Sequence, residues 1–431
     1  MLFFVNKSTL SGSIHIPGNK SATARAIVFG SLADGISHIR NPLLNIDSFS
    51  IIKMFRAMGA EIDTSNSKEW VIKGVNAKLR QPSQVLDAEN SGTGFYFALA
   101  CASLVENWTV LTGDYQICYR PAQPMIDAIN KMGGQAFSTR NSGTAPVVVK
   151  GRIKGGDFRL PGVNSQWLTP FLAACALADG NTTIYEKDLL ERPYVDMTIG
   201  MLKLAGITVQ NNNYEEFKIN GGQKYKAFDY DIPADWGSAG YPLVAAAITD
   251  GSKVHFSGLD YNDYAGEKAY IDILKEMGAH VEILDGGRGG ITVGGGNELH
   301  GIEIDCSGTP DAVPALAVLG CKAKGKTVLY NISACRLKET DRAKSIMAEL
   351  GKMGAKMEET ESTLTIYHSE LKGAYIDGRN DHRIVMATSI AAMMAEGPSI
   401  ITNAEYTGVS FPGFYESMKS LGASIERLQI A

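Results

Sequence analysis

The chain has 431 residues, 45% hydrophobic and 20% charged, with a net charge of −5. This is enough for two domains with a full core, and the acidic balance excludes a general nucleic-acid binder. No apolar run reaches the length of a membrane span, and the first residues lack a basic, cleavable leader. The expectation is a cytoplasmic protein without membrane contact. The six cysteines form no CxxC pair and several fall in apolar stretches, so buried reduced thiols are expected rather than disulfides. The seven histidines include no HExxH, and a metal cofactor is not expected.

In chain order the first element is a strand, GSIHIPG, followed by the polar helix start Asn19-Lys20-Ser21. A six-fold pattern then takes over. An Ala-rich helical stretch ends in an acidic-Gly pair or a similar one and runs into a β-like stretch, at SLADGISHIRN, SLVENWTVLTG, ALADGNTTIYE, AITDGSKVHFSG, CKAKGKTVLYN and MMAEGPSIITN. The junctions, from Gly35 to Gly397, recur every roughly 71–74 residues. A second marker keeps step with glycine at positions 59, 133, 206, 278, 354 and 422 (AMGAEI, KMGGQA, LAGITV, EMGAHV, KMGAKM, SLGASI). The fifth copy shows the content of a repeat. An apolar helix follows PDA, KTVLYNIS alternates as a strand, and Ala343, Ile346, Met347, Leu350 and Met353 keep helical spacing up to Gly354, a helix C-cap. AKMEET and STLTIYHS complete it as a strand pair.

One such repeat cannot bury its apolar surface alone. Three packed about an axis, with Ala-rich helices inside and sheets outside, can. Six repeats therefore predict an α/β (α+β) protein of two lobes, each an inside-out α/β barrel of three βαβαββ repeats. The expected boundaries are 19–232 for one lobe and 1–18 with 233–431 for the other, with crossings near Pro17–Lys20 and Pro233–Asp235. Each Ala-rich helix opens on polar residues: Asn19-Lys20-Ser21, Asn90-Ser91-Gly92-Thr93, Asn164-Ser165-Gln166, Asp235-Trp236-Gly237-Ser238, Pro310-Asp311 and Asn380-Asp381-His382-Arg383. Helix capping accounts for Asn, Ser and Asp at such places. It does not account for Lys20, Arg25 or Arg383. RLKETDR packs Arg336, Lys338, Glu339, Asp341 and Arg342 into seven residues, readable either as a solvated helix start with local ion pairs or as an acid-base group beside anion-binding cations. The concentration of basic groups at equivalent points of an acidic chain favours a site for anionic substrates.

On PGNKSATAR, NSGT, YRP, NSQWLT, RPYVDMT, PDA, LKETDR, NDHR and SFPGFYESM the chain resembles the enolpyruvyl transferases over essentially its whole length, most closely the branch acting on shikimate 3-phosphate. The resemblance implies two lobes that close on substrate. It also implies transfer of the enolpyruvyl group of phosphoenolpyruvate to the 5-hydroxyl of 3-phosphoshikimate, with release of phosphate, in aromatic amino acid biosynthesis. It assigns Lys20 to both substrates, and Ser21 and Arg25 to the shikimate hydroxyls and carboxylate. Asn164, Ser165, Gln166 and Lys338 would surround the ring and its phosphate, with Tyr194 of RPYVDMT also on the substrate side. Gly92, Arg120, Gln166, Arg342 and Arg383 would receive phosphoenolpyruvate. Asp311 would be the base toward the 5-hydroxyl; Glu339 and Lys20 would handle the methylene proton and the leaving phosphate, assisted by His382. A monomer is expected, since one chain supplies both lobes.

The chain departs from the family pattern at four places. Val409 stands where a Lys contacts phosphoenolpyruvate, Glu191 where a Ser binds phosphate, Ala334-Cys335 where a polar contact is usual, and Tyr96 where NAGTAMR carries Arg. A carboxylate at position 191 should repel phosphate. The alternatives are a diverged relative acting on another shikimate-like cyclic alcohol, by transfer or elimination, and a non-catalytic anion-binding relative. The branch acting on UDP-N-acetylglucosamine is disfavoured, because Cys118 lies too close to Arg120 for that branch's reactive cysteine.

Overall fold

The computed structural model describes residues 1–262, 265–287 and 289–429. It divides into two compact units, Met1–Pro17 with Pro233–Ala431, and Gly18–Ile232. Among the described residues each unit holds three four-stranded sheets.

In the third repeat the sheet runs Gly156–Pro161, Thr182–Lys187, Glu216–Ile219, Val209–Asn212; the first pair is parallel and the others antiparallel. A parallel pair needs a crossover, and the helix Ser165–Ala174 supplies it. The sheets centred on Thr109–Thr112 and Lys326–Tyr330 repeat this order. The remaining three sheets borrow a strand from far along the chain. Ile36–Arg40 takes Asp229–Asp231 as its parallel neighbour, and Lys253–Ser257 takes Ser11–His15. In the last sheet Leu2–Val5 fills the place between Ser399–Thr402 and Ile425–Leu428. The strands Leu2–Val5 and Ser11–His15 thus complete sheets whose other strands come from residues 253–428.

Three helices in each unit are buried on nearly every face: Lys20–Leu32, Gly92–Ala102 and Ser165–Ala174 in one, Trp236–Ile248, Val313–Lys322 and His382–Met394 in the other. Helices apolar all round belong in an interior, and their many alanines let them approach closely. The second helix of a repeat is one-sided. Arg342–Lys352 buries Ala343, Ile346 and Leu350, while Met347 is half-buried. All six glycines of the second marker are left-handed, with φ between 80° and 109°, as a helix stop requires. The first marker is less uniform. Gly35, Gly251, Gly325 and Gly397 have positive φ, whereas Gly180 and Asn107 do not.

Five cysteines are buried and Cys118 is intermediate; all are free. Burial pushes the thiols of Cys101, Cys175, Cys321 and Cys335 up to about 12, so they stay protonated and unreactive. Among the described residues no helix is long and apolar enough to cross a membrane. Nor, among them, is any group of three or more His, Cys, Asp or Glu arranged to hold a metal ion.

Candidate active site

The starts of the buried helices carry the polar groups of each unit. In the unit completed by Pro233–Ala431, Asp235 accepts from Gly237 N at 2.9 Å and Asp381 from Arg383 N at 2.9 Å, both as caps. The helix Val313–Lys322 has no side-chain cap and is entered through the turn Pro310–Ala312, so Asp311 is not used for capping. Its carboxylate accepts from Arg342 Nη1 at 2.7 Å and Arg383 Nη2 at 2.9 Å, with Lys338 Nζ at 3.9 Å. Arg342 is 1% exposed and donates also to Glu339 and, through Nε at 2.9 Å, to Asp381. Arg383 donates to the Gly237 carbonyl at 2.7 Å and lies 5.9 Å from the Tyr241 ring. His382 is buried, its Nδ1 3.7 Å from Asp381. All three repeats of the unit contribute, and three carboxylates face three cations.

This charge pattern sets the acidity of Asp311. Burial pushes its pKa up, but Arg383, Arg342 and Lys338 outweigh it and hold the carboxyl well below the usual range. Burial would lower Arg342, yet Asp381, Glu339 and Asp311 raise it further, so it is a permanent cation. RLKETDR is therefore no solvated helix start: none of its residues is exposed, and Arg336, paired with Asp341 and Glu359, is itself largely shielded.

In the unit Gly18–Ile232, Asn19 caps its helix through Ala22 N at 2.8 Å, and Lys20 Nζ lies 3.5 Å from Asp47. Arg25, one turn on, donates through Nε to Thr198 at 2.8 Å, through Nη1 to the Ser21 carbonyl at 3.0 Å and through Nη2 to the Tyr194 carbonyl at 3.5 Å. Burial pulls its pKa down to about 10, so it remains charged at neutral pH. A Cβ on Gly92 would stand 1.9 Å from Arg120 Nη1, so glycine there lets the guanidinium approach the helix start. Tyr96 and Trp167 both donate to the Pro121 carbonyl, at 2.9 and 3.0 Å, and fix the loop carrying Arg120. Asn164 caps through Gln166 N at 3.0 Å, and Gln166 Nε2 donates to Thr93 at 2.9 Å. Ser165 donates through both N and Oγ to Glu191, each at 2.8 Å.

The family profile for EPSP synthase (3-phosphoshikimate 1-carboxyvinyltransferase) matches residues 5–418. The chain belongs to this family. A 3-phosphoshikimate 1-carboxyvinyltransferase of Ruminiclostridium cellulolyticum is 44% identical over 426 residues, covering 99% of this chain and 100% of that protein. One from Methanocella arvoryzae is 42% identical over 99% of this chain and 100% of its own. Among solved structures, EPSP synthase from Acinetobacter baumannii superposes with a TM-score of 0.84 at 30% identity, over 99% of this chain and 100% of that one. The enolpyruvyl transferase NikO from Streptomyces tendae, at 16% identity, shares the fold with a TM-score of 0.78 over 99% and 98% of the two chains.

Asp311, Lys338, Glu339, Arg342, His382 and Arg383 fall in one cluster of one unit. In the other unit Ser21, Arg25 and Tyr194 meet, as do Gly92 with Arg120 and Ser165 with Glu191, while Lys20 faces Asp47. The structure adds partners that the sequence reading did not assign: Asp381 behind Arg342, Thr198 and the Tyr194 carbonyl around Arg25, and Asp47 beside Lys20. Asp381 and Asp47 each lie at the start of a helix, a place where acids usually serve only the backbone. Thr198 lies one turn after Tyr194, and nothing local marks it. Of the departures, Val409, Ala334 and Cys335 are buried side chains.

Proposed function

We propose that this chain transfers the enolpyruvyl group of phosphoenolpyruvate to the 5-hydroxyl of 3-phosphoshikimate and releases phosphate. The observation that carries the reading is the buried cluster of Asp311, Glu339, Arg342 and Arg383 in a chain of this family. A protein that only bound anions would have no use for two carboxylates among its cations; addition to an enol ether has one for each. Asp311 takes the proton of the 5-hydroxyl as its oxygen attacks C2 of phosphoenolpyruvate, while Glu339 or Lys20 delivers a proton to the methylene. The tetrahedral adduct then gives a methyl proton back to the group that supplied it as phosphate leaves, restoring the double bond.

Arg342, Arg383 and Arg120 are assigned to phosphoenolpyruvate, with Gly92 and Gln166. As an anionic substrate draws on the guanidinium protons of Arg342 and Arg383, Asp311 shares less of their charge and becomes a stronger base. The unit Gly18–Ile232 is assigned the shikimate ring and phosphate through Ser21, Arg25, Asn164, Ser165, Gln166 and Tyr194. Lys338 is assigned to the substrate ring and its phosphate, and His382 assists the proton transfers; both belong to the unit completed by Pro233–Ala431, which is assigned the base and much of the phosphoenolpyruvate site. We read the protein as a cytoplasmic monomer, which light scattering checks.

The test is phosphate release by purified protein, with the product identified by mass. Release that requires both substrates and yields the enolpyruvyl ether is expected. Absence of that product from these two compounds would refute the reading.

A further inference from the structure

Two observations in the unit Gly18–Ile232 bear on how it receives an anion. Arg25 is a cation only 3% exposed, and among the described residues no carboxylate lies at ion-pair distance from it. Its charge is under-compensated, as its lowered pKa reflects; Glu191 is the carboxylate whose field raises that pKa back, together with Tyr194 and Tyr230. Glu191 is itself only 1% exposed, and its Oε2 accepts from both Ser165 N and Ser165 Oγ at 2.8 Å. A helix-terminal amide beside a hydroxyl, with the dipole of Ser165–Ala174 behind it, is a seat for an anionic oxygen. Here an internal carboxylate fills the seat. The backbone of Glu191 is left-handed, with φ 59°, which a long side chain adopts only when its surroundings impose it.

We propose that Glu191 is a specificity-determining residue, a built-in anion that occupies the phosphate seat at Ser165 and that the phosphate of the incoming substrate must displace. This rests on the assignment of Ser165 to the substrate phosphate under the proposed function. A carboxylate and a phosphate cannot share one N–H and one O–H without strong repulsion, because both are acceptors carrying negative charge. Binding of the phosphorylated ring therefore includes breaking two charge-assisted hydrogen bonds and moving a buried carboxylate. An unphosphorylated ring leaves that contact intact. Glu191 accordingly narrows the preference for 3-phosphoshikimate over shikimate.

The experiment uses the full chain with Glu191→Gln and Glu191→Ser. Glutamine keeps the shape and an acceptor for Ser165 without the charge, and serine removes the long side chain, so loss of folding in one leaves the other to decide. Calorimetry measures 3-phosphoshikimate and shikimate binding, and turnover with phosphoenolpyruvate is followed alongside. Removing one full charge at hydrogen-bond range should tighten 3-phosphoshikimate by about tenfold or more. Shikimate affinity should change less than about twofold. Turnover by the parent chain or a variant, with the affinity ratio unchanged or reduced in the folded variants, overturns this inference and leaves the proposed reaction standing. No turnover in any of the three proteins removes the reaction and the inference together.

Discussion

Asp311 is held by three cations and so is poorly basic until an anion competes for them. Asp311→Asn removes the proton acceptor and leaves Arg342, Arg383 and Lys338 with a surplus of positive charge. Turnover should fall by about a thousandfold, the scale of a lost general base, while phosphoenolpyruvate binds no more weakly than before. Single-turnover rates against calorimetric affinity check this split; equal loss of both would make Asp311 a structural ion-pair partner. Arg25 and Arg342 show the same logic from the cationic side. The first is buried without a carboxylate at ion-pair distance among the described residues, and burial drags its pKa down. The second is buried among three carboxylates and moves the other way.

The helix Arg342–Lys352 is the element that ties this cluster to its scaffold. Arg342 at its start is held by Asp381, and Glu349, two turns on, holds the segment leading into the helix His382–Met394. The fully buried Glu349 carboxylate accepts from Arg379 Nε at 2.9 Å and Nη2 at 2.7 Å, from Asp377 N at 2.9 Å and from Lys352 Nζ at 2.5 Å. Arg379 and Asn380 are both left-handed, with φ 56° and 53°, a conformation that persists only where contacts impose it. Glu349→Gln should cost about 2 kcal/mol of stability, the scale of lost charge-assisted hydrogen bonds. It is not more, because Arg379 and Lys352 are partly exposed and can turn to water. Urea unfolding should show a lower midpoint with an unchanged slope; an unchanged midpoint would contradict this account.

At the scale of the whole molecule, stability carries a pH dependence from the core. Glu186, on the strand Thr182–Lys187, is 5% exposed with neither carboxylate oxygen hydrogen-bonded among the described residues, and burial pushes its pKa up to about 8. Between the ordinary glutamate value of about 4.3 and that value the folded chain keeps a proton that the unfolded chain releases. Stability is therefore full at low pH and falls as pH rises through this window, by about 1.4 kcal/mol per pH unit at the steepest. Glu186→Gln should remove this contribution, so its stability relative to the parent should grow from pH 5 to pH 8; a pH-independent difference would refute it. The repeats, their helices and the helix-stop glycines were legible in the sequence because they follow from local rules: apolar period, capping and the φ that glycine allows. The basic and acidic residues of RLKETDR and NDHR were legible as odd for a helix start, and the family pattern assigned them roles. Four things were decided only in three dimensions: that Leu2–Val5 and Ser11–His15 complete sheets late in the chain, that Asp381 stands behind Arg342, that Glu191 sits on Ser165, and that the Glu186 carboxylate is buried. Each depends on which distant segments share a sheet or a helix start. That is settled by burying the apolar faces of three repeats together, a condition that no single stretch of sequence contains.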